Sequence, residues 1–194
     1  MDSVRRRARE REVPIRRDPV EDAPPGWVYN PSSWAQRVPI VVLAFVGFLV
    51  ASWLSLFQLE LIPSIWEPFF GEGSHRILTG RVSHVLPVPD AVLGAAGYLA
   101  DAVFGLMGGT ARWKRLPWVV IVFAIAVIPF GLTSVTLFIL QPTLYDTWCT
   151  LCLVSVAISL AMVPYAWDEL VASWMWMRGR MDAGVSVWDA LRGR

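Results

Sequence analysis

Apolar residues occur in four blocks separated by polar segments. The blocks cover residues of about 38–59, 88–107, 118–140 and 148–167. Each block is near the roughly 20 residues that a helix needs to cross a bilayer core about 30 Å thick. Short stretches of alternating polarity, typical of membrane β-strands, are missing from the sequence, and backbone groups in lipid must bond within the protein. The pattern predicts an all-α integral membrane protein with a bundle of four transmembrane helices.

The distribution of basic residues predicts the orientation of these spans. Only Arg76 and Arg81 fall in the segments at about 60–87 and 141–147. The other fifteen basic residues flank the opposite ends of the spans, so the positive-inside rule places both termini in the cytoplasm. Nearly all basic residues are Arg, which is typical of GC-rich bacterial genomes. We therefore expect a multi-pass protein of the bacterial cell (inner) membrane.

The segments that flank the bundle differ from it in composition. Residues 1–37 are rich in Arg, Glu and Pro, which predicts a disordered cytoplasmic tail. Residues 168–194 form a cytoplasmic amphipathic tail, in which a Trp- and Met-rich stretch at about 170–177 predicts an interfacial helix. The alternative is a patch that binds anionic lipid or a partner for the first tail, and a docking face for another subunit for the second. We favour setting the topology for the first tail and anchoring to the membrane for the second.

The overall composition excludes several classes of protein. Hydrophobic residues make up 55% and charged residues 17% of the chain, and the mean hydropathy is +0.49. Such a balance argues against a disordered chain and against an ordinary cytosolic enzyme. A net charge of +1 gives no indication of nucleic-acid binding. The 11 Trp residues are typical of the aromatic belts that contact membrane lipid.

The two cysteines carry the most informative chemistry. Cys149 and Cys152 lie in the stretch DTWCTLCLVS, at the outer end of the fourth block. In a helix this spacing puts both sulfurs on one face, and a helix N-terminus stabilises a thiolate. The outer sulfur can then meet a soluble thiol, and the inner sulfur a membrane-dissolved two-electron acceptor such as a quinone. Two inert packing thiols are the alternative. A zinc site would need His75 and His84 as further ligands, and their spacing is not typical of one.

Three features of the sequence resemble the vitamin K epoxide reductase family of membrane thiol–quinone oxidoreductases. The stretch WCTLCL opens the fourth block, as the redox pair of that family does. The stretch SHRILTG, followed by LPVPDAVLGAAGYL, resembles the family's outer loop and its second helix. The four-helix topology with a long first outer loop also agrees. The resemblance covers residues of about 38–165.

The resemblance implies roles for individual residues. Cys152 would react with the quinone, a menaquinone or a ubiquinone, and Cys149 would exchange disulfides with partner thiols. Asp90 stands where the family has a polar residue that holds the quinone oxygen, although it can instead cap the second helix. Tyr98 belongs to the family's pattern of small and aromatic residues and can serve the site or the helix packing.

Departures from the family pattern leave a second function open. The family's loop cysteine pair is missing, and Ser74 stands at the position of its second member. Gly80 and Val156 replace a Ser and a Tyr of vitamin K-reducing members. Either an exported thioredoxin-like partner meets Cys149 directly, or the chain is a non-enzymatic membrane scaffold or accessory subunit. Vitamin K epoxide is therefore a poor prediction for the substrate.

Other residues near the predicted spans suggest a lid and a polar contact. Trp66, Phe69 and Phe70 can form a lid that closes over a quinone pocket, or they can lie at the level of the lipid headgroups. Asp101 is the one acid well inside a span. We expect it to pair with Arg112 or Arg115 rather than to relay protons.

Overall fold

The computed structural model describes residues 23–84 and 87–193 of the chain. Within these ranges it contains a short 3₁₀ turn, Val82–His84, and seven α-helices, which we label in chain order. They are α1 (Trp34–Gln58), α2 (Gly73–Leu78), α3 (Asp90–Leu106), α4 (Arg112–Arg115), α5 (Pro117–Tyr145), α6 (Thr150–Asp182) and α7 (Val187–Leu191). Most of the predicted disordered tail lies outside the described residues.

The chain divides into two compact units, residues 1–30 and residues 31–194. In the described part of the first unit, the backbone turns back on itself, since Trp27 N donates to Pro24 O at 3.0 Å. The rings of Trp27 and Tyr29 meet edge to face, with centroids 5.5 Å apart. All seven helices belong to the second unit.

Four helices of the second unit form a bundle. Helix α1 packs beside α3, α3 beside α5, α5 beside α6, and α6 beside α1, so the four close a ring. The ring encloses an apolar core that includes Ile40, Ala44, Phe123 and Met162. Small residues let the helices approach closely. This arrangement leaves the long helices side by side, with their ends at two opposite poles.

Three helices are long and apolar enough to cross a membrane: α1, α5 and α6. Helix α3, which corresponds to the predicted second span, has 17 residues. At 1.5 Å per residue it is about 26 Å long, slightly shorter than a bilayer core. The prediction of an all-helical membrane protein is confirmed at this level.

Two helices extend beyond their predicted ends. Helix α1 begins at Trp34, so Arg37 belongs to the bundle rather than to the N-terminal tail. Helix α6 continues without a break to Asp182, and no separate helix forms at 170–177. The continuity has a physical reason: between Trp167 and Arg178 there is no Gly or Pro, and Glu169 and Met177 are buried.

Two buried arginines mark one pole, which we call the arginine end. Arg37 donates to the carbonyl oxygens of Gly105, Met107 and Gly108, at 2.6 to 2.9 Å. These carbonyls end α3, where helical partners run out and positive charge is favourable. Arg112 forms a two-pronged ion pair with Glu169. All three charged side chains are almost completely buried.

The predicted pairing of Asp101 with Arg112 is therefore wrong. Arg112 uses its Nε and Nη2 atoms on Glu169 and its Nη1 atom on the carbonyls of Phe104 and Met107. Asp101 Oδ1 has no hydrogen-bond partner. The sequence placed the two charges near the same end of the bundle, but Glu169 comes from a neighbouring helix and meets Arg112 first.

Candidate functional site

The two cysteines begin α6 at the opposite pole, which we call the disulfide end. They form a disulfide with a Cα–Cα distance of 5.2 Å. Cys149 is the N-cap residue with an extended backbone, and its Sγ accepts from the amide of Cys152 at 3.2 Å. The amide of Cys149 donates to Gln141 Oε1 at 3.0 Å, which ties this turn to α5. The chain enters the turn through Asp146, whose positive φ of 50° ends α5.

The two sulfur-bearing residues have different surroundings. Cys149 is 0% exposed and packs in an apolar cluster with Leu54, Phe57, Ile77 and Leu78. Cys152 is partly buried and lines the main cavity of the bundle. A molecule in that cavity can therefore contact Cys152, whereas the outer loop covers Cys149.

The cavity lies between the four bundle helices and has a volume of about 370 Å³. That volume is within the range of small-molecule sites, about 300–1,000 Å³. Most of its wall is apolar, and Phe130 and Thr133 of α5 line it although both are exposed, so it reaches the bundle surface there. The polar residues on its wall are Asp90, Tyr98, Asp101, Thr133, Ser134, Gln141, Ser155 and Ser159.

Asp90 lies on the cavity wall, close to the disulfide end. It is the first residue of α3, and Pro89 rather than Asp90 takes the N-cap position. Its Oδ1 accepts from Gln58 Nε2 at 2.6 Å and from the amide of Ala91 at 2.9 Å. Asp90 thus helps to hold the start of α3 and lines the cavity at the same time.

Tyr98 crosses the interior from α3 to α6. Its hydroxyl donates to Ser155 O at 2.8 Å and shares a hydrogen bond of 2.7 Å with Ser159 Oγ. The ring rests on Gly47, where a Cβ atom would lie 2.6 Å from Tyr98 Cε1. The residue therefore packs the bundle and also lines the cavity.

Replacing Gly47 with Ala is expected to lower the free energy of unfolding by about 1–3 kcal/mol, because the added methyl must displace the Tyr98 ring. Thermal unfolding of the full chain in detergent measures the change. Gly179→Ala is the matched control, since no atom lies within 4 Å of a Cβ at that helical position. Equal melting temperatures for Gly47→Ala and the control would contradict this packing.

The predicted aromatic lid does not reach the cavity in this structure. Trp66 is 61% and Phe69 is 75% exposed, and neither they nor Phe70 line the cavity. The rings of Phe69 and Phe70 meet edge to face, with centroids 6.3 Å apart. The structure thus brings Cys152, Asp90 and Tyr98 together and leaves the three aromatic residues outside.

Glu67 is the residue of this region that the sequence interpretation missed. Its carboxylate accepts from the hydroxyls of Ser74 and Thr150, from the Thr150 amide at 2.9 Å, and from the amides of Phe69 and Phe70. Burial alone would raise its pKa, but the hydrogen bonds from Ser74 and Thr150 outweigh burial and lower the pKa to about 2. The Glu67 hydrogen-bond cluster ties the outer loop to the first turn of α6, next to Cys149.

Comparison with known proteins identifies the family. No curated protein matches this chain. A model of the vitamin K epoxide reductase family matches residues 38–167, a range that includes α3, α5, the cysteine pair and nearly all of the cavity lining. Because this match covers well over half of the sequence, the chain belongs to the vitamin K epoxide reductase family.

Proposed function

We propose that this protein is a membrane thiol–quinone oxidoreductase. It would pass electrons from a partner thiol through the Cys149–Cys152 disulfide to a membrane quinone. The observation that carries the proposal is the position of Cys152, whose side chain lines an apolar cavity large enough for a quinone ring inside a membrane protein. Family membership supports the same chemistry, since members of this family act with quinones.

The chain's own residues account for the steps of this reaction. A partner thiol would attack the disulfide, and the resulting mixed disulfide would resolve to leave Cys149 and Cys152 reduced. When the S–S bond forms again, the two thiols give up two electrons and two protons. The quinone takes up both electrons and both protons and leaves as a quinol. Asp90 and Gln141 lie on the cavity wall beside Cys152 and would orient the ring through hydrogen bonds.

The membrane orientation belongs to the same proposal. We propose four crossings, with α3 as the second, and both termini in the cytoplasm. The membrane bundle would cover residues 38–167, with the first turn of α1 and the second half of α6 extending it into the predicted tails at 1–37 and 168–194. Basic residues near the arginine end support this orientation: Arg112, Lys114, Arg115, Arg178 and Arg180. The disulfide end would then face the extracytoplasmic side of a bacterial inner membrane, where disulfides persist.

The partner thiol would come from a separate protein. The chain has only two cysteines, so it has no loop pair to carry electrons to Cys149. An exported thioredoxin-like protein would supply them. The outer loop would have to move for this exchange, because Cys149 is completely buried.

Two observations favour a second candidate function, a non-enzymatic membrane scaffold. The outer loop has no cysteines, and Cys149 is completely buried. A disulfide without loop cysteines can also serve only to fix the first turn of α6, in which both of its residues lie. This candidate predicts that the disulfide never cycles between its two states. The type of quinone, menaquinone or ubiquinone, does not affect that distinction.

A redox-trapping experiment distinguishes the two functions. The full chain in detergent is reduced, mixed with a short-chain menaquinone or ubiquinone analogue, and then labelled with a thiol-reactive mass tag. We expect the quinone to remove both free thiols by re-forming the disulfide. Cys149→Ser and Cys152→Ser should each keep one free thiol after the same treatment. A wild-type pair that stays reduced with both analogues would overturn the oxidoreductase proposal and favour the scaffold.

A further inference from the structure

The deep end of the cavity contains a buried acid, Asp101, with one carboxyl oxygen that has no hydrogen-bond partner among the described residues. Asp101 is 3% exposed and lines the cavity, and its Oδ1 makes no hydrogen bond. Ser155 Oγ, on the same cavity wall, is also buried without a partner. Buried polar groups are nearly always paired. An acid within a membrane helix is costly in free energy, and such residues usually mark functional sites. The two groups therefore face something other than the protein, either water or a ligand.

The arginine end does not account for Asp101. The guanidinium group of Arg112 is bonded to Glu169 and to backbone carbonyls, and that of Arg37 is bonded to the carbonyls at the end of α3. Neither arginine bonds the Asp101 side chain. Among the described residues, neither of the two buried arginines is therefore an ion-pair partner of Asp101.

The spacing along the helices separates Asp101 from the cysteines. Asp90, Tyr98 and Asp101 lie on one face of α3, and Asp101 is about 16 Å along the axis from Asp90. On α6, Ser159 lies about 10 Å along the axis from Cys152. A quinone ring in contact with Cys152 would therefore not touch Asp101.

Three hydroxyl groups lie along this gap, those of Tyr98, Ser159 and Ser155. Tyr98 lies one turn from Asp101, on the side nearer the disulfide end. Its hydroxyl accepts from Ser159 Oγ at 2.7 Å while its own proton is on Ser155 O, and it can donate to Ser159 when that proton turns. Ser155 follows one turn nearer to Cys152. Such a row of reversible donors and acceptors, together with water in the cavity, can move a proton along the wall.

We propose that Asp101 supplies a proton to the quinone through the hydroxyls of Tyr98 and Ser159. This inference rests on the proposed function. Oxidation of Cys149 and Cys152 forms one S–S bond and releases two electrons and two protons. The quinone takes up two electrons and two protons. One thiol proton reaches the quinone and the other is released to water, Asp101 gives the quinone its second proton, and water returns one proton to Asp101, so the reaction balances.

Single-turnover kinetics of three variants test the proposal. The reduced full chain is mixed with a short-chain quinone analogue, and disulfide formation is followed over time. Asp101→Asn keeps the size of the side chain and its hydrogen-bonding capacity but cannot give up a proton. We expect it to slow quinone-dependent oxidation at least about tenfold at saturating quinone, with unchanged quinone affinity. Tyr98→Phe should slow the same step, and Asp101→Glu should retain most of the wild-type rate.

Two controls make the outcome specific. Reduction of the disulfide by dithiothreitol should be the same in wild type and in Asp101→Asn, because that step does not involve the quinone. Asp182→Asn, an exposed acid at the end of α6, should oxidise at the wild-type rate. If Asp101→Asn is oxidised as fast as wild type, the proton route is overturned while the proposed function stands. If quinone fails to oxidise even the wild type, the proposed function fails.

Discussion

Replacing Glu169 with Leu is expected to lower the free energy of unfolding by about 3–5 kcal/mol. This is the usual cost of removing one charged partner from a buried ion pair. Glu169 and Arg112 are both almost completely buried, and Arg112 donates to both carboxylate oxygens. Without the carboxylate, a positive charge remains in the apolar bundle with only carbonyl partners. Unfolding of the full chain in mixed micelles of increasing SDS content measures the loss.

A double variant separates the cost of leaving Arg112 unpaired from the cost of removing the Glu169 side chain itself. In Arg112→Met with Glu169→Leu, no charge stays buried, and apolar replacements of this kind can be nearly neutral. We expect the double variant to be more stable than Glu169→Leu alone. A double variant that is less stable than either single variant would contradict the claim that Glu169→Leu destabilises the bundle by leaving the Arg112 charge unpaired.

The apolar blocks predicted the long helices well because burial in lipid and burial in a bundle demand the same residues. The block at 118–140 lies inside α5, and the block at 148–167 nearly coincides with the first half of α6. The ends were less predictable. The sequence placed Arg37 in the polar tail. Its hydrogen bonds to the carbonyls at the end of α3 explain why this charged side chain is buried in the bundle.

The spacing of residues along α3 also predicted which of them share one face of the helix. Asp90 and Tyr98 are eight residues apart, which puts both on one side of α3, and Cys152 meets them across the cavity. The family resemblance supplied these residues, and the geometry of a helix explains why they converge. The redox roles of the two cysteines stay a prediction.

Contacts between distant segments could not be read from the sequence. Glu67 lies 83 positions from Thr150, and nothing local indicates that its carboxylate binds the first turn of α6. The one available local signal was that Glu67 stands among apolar neighbours, between Trp66 and Pro68. Trp66 and Phe69 drew attention as large apolar residues, yet both are exposed and neither lines the cavity.

Replacing Glu67 with Gln is expected to expose Cys149 to reagents at the disulfide end. The amide keeps one acceptor oxygen but loses the charge that draws five donors, and hydrogen bonds to charged groups are the stronger ones. Losing them should favour opening of the loop and raise the labelling rate of Cys149 at least about tenfold. In a Cys152→Ser background, Cys149 is the single cysteine, and its reaction with dithiodipyridine gives the rate directly.

Glu72→Gln is the matched control for this prediction. Glu72 lies in the same loop, is exposed, and makes no side-chain cap to α2, so its replacement should leave the labelling rate unchanged. Equal rates for the two variants would contradict a role of Glu67 in covering Cys149. In that case, the apolar cluster that includes Ile77 and Leu78 would cover Cys149 without help from Glu67.

The pH dependence of labelling gives an independent check on Glu67. The pKa of Glu67 lies at about 2 instead of the ordinary 4.5, so the folded state prefers the ionised form. The contribution of the carboxylate to loop closure is therefore complete above about pH 4.5 and disappears as the pH falls through about 2. Wild type and Glu67→Gln, compared at each pH in the Cys152→Ser background, should differ most at neutral pH and converge near pH 2. A difference that vanishes already at pH 4 would mean that Glu67 takes up a proton at its ordinary pKa, and that the hydrogen bonds from Ser74 and Thr150 do not hold the loop.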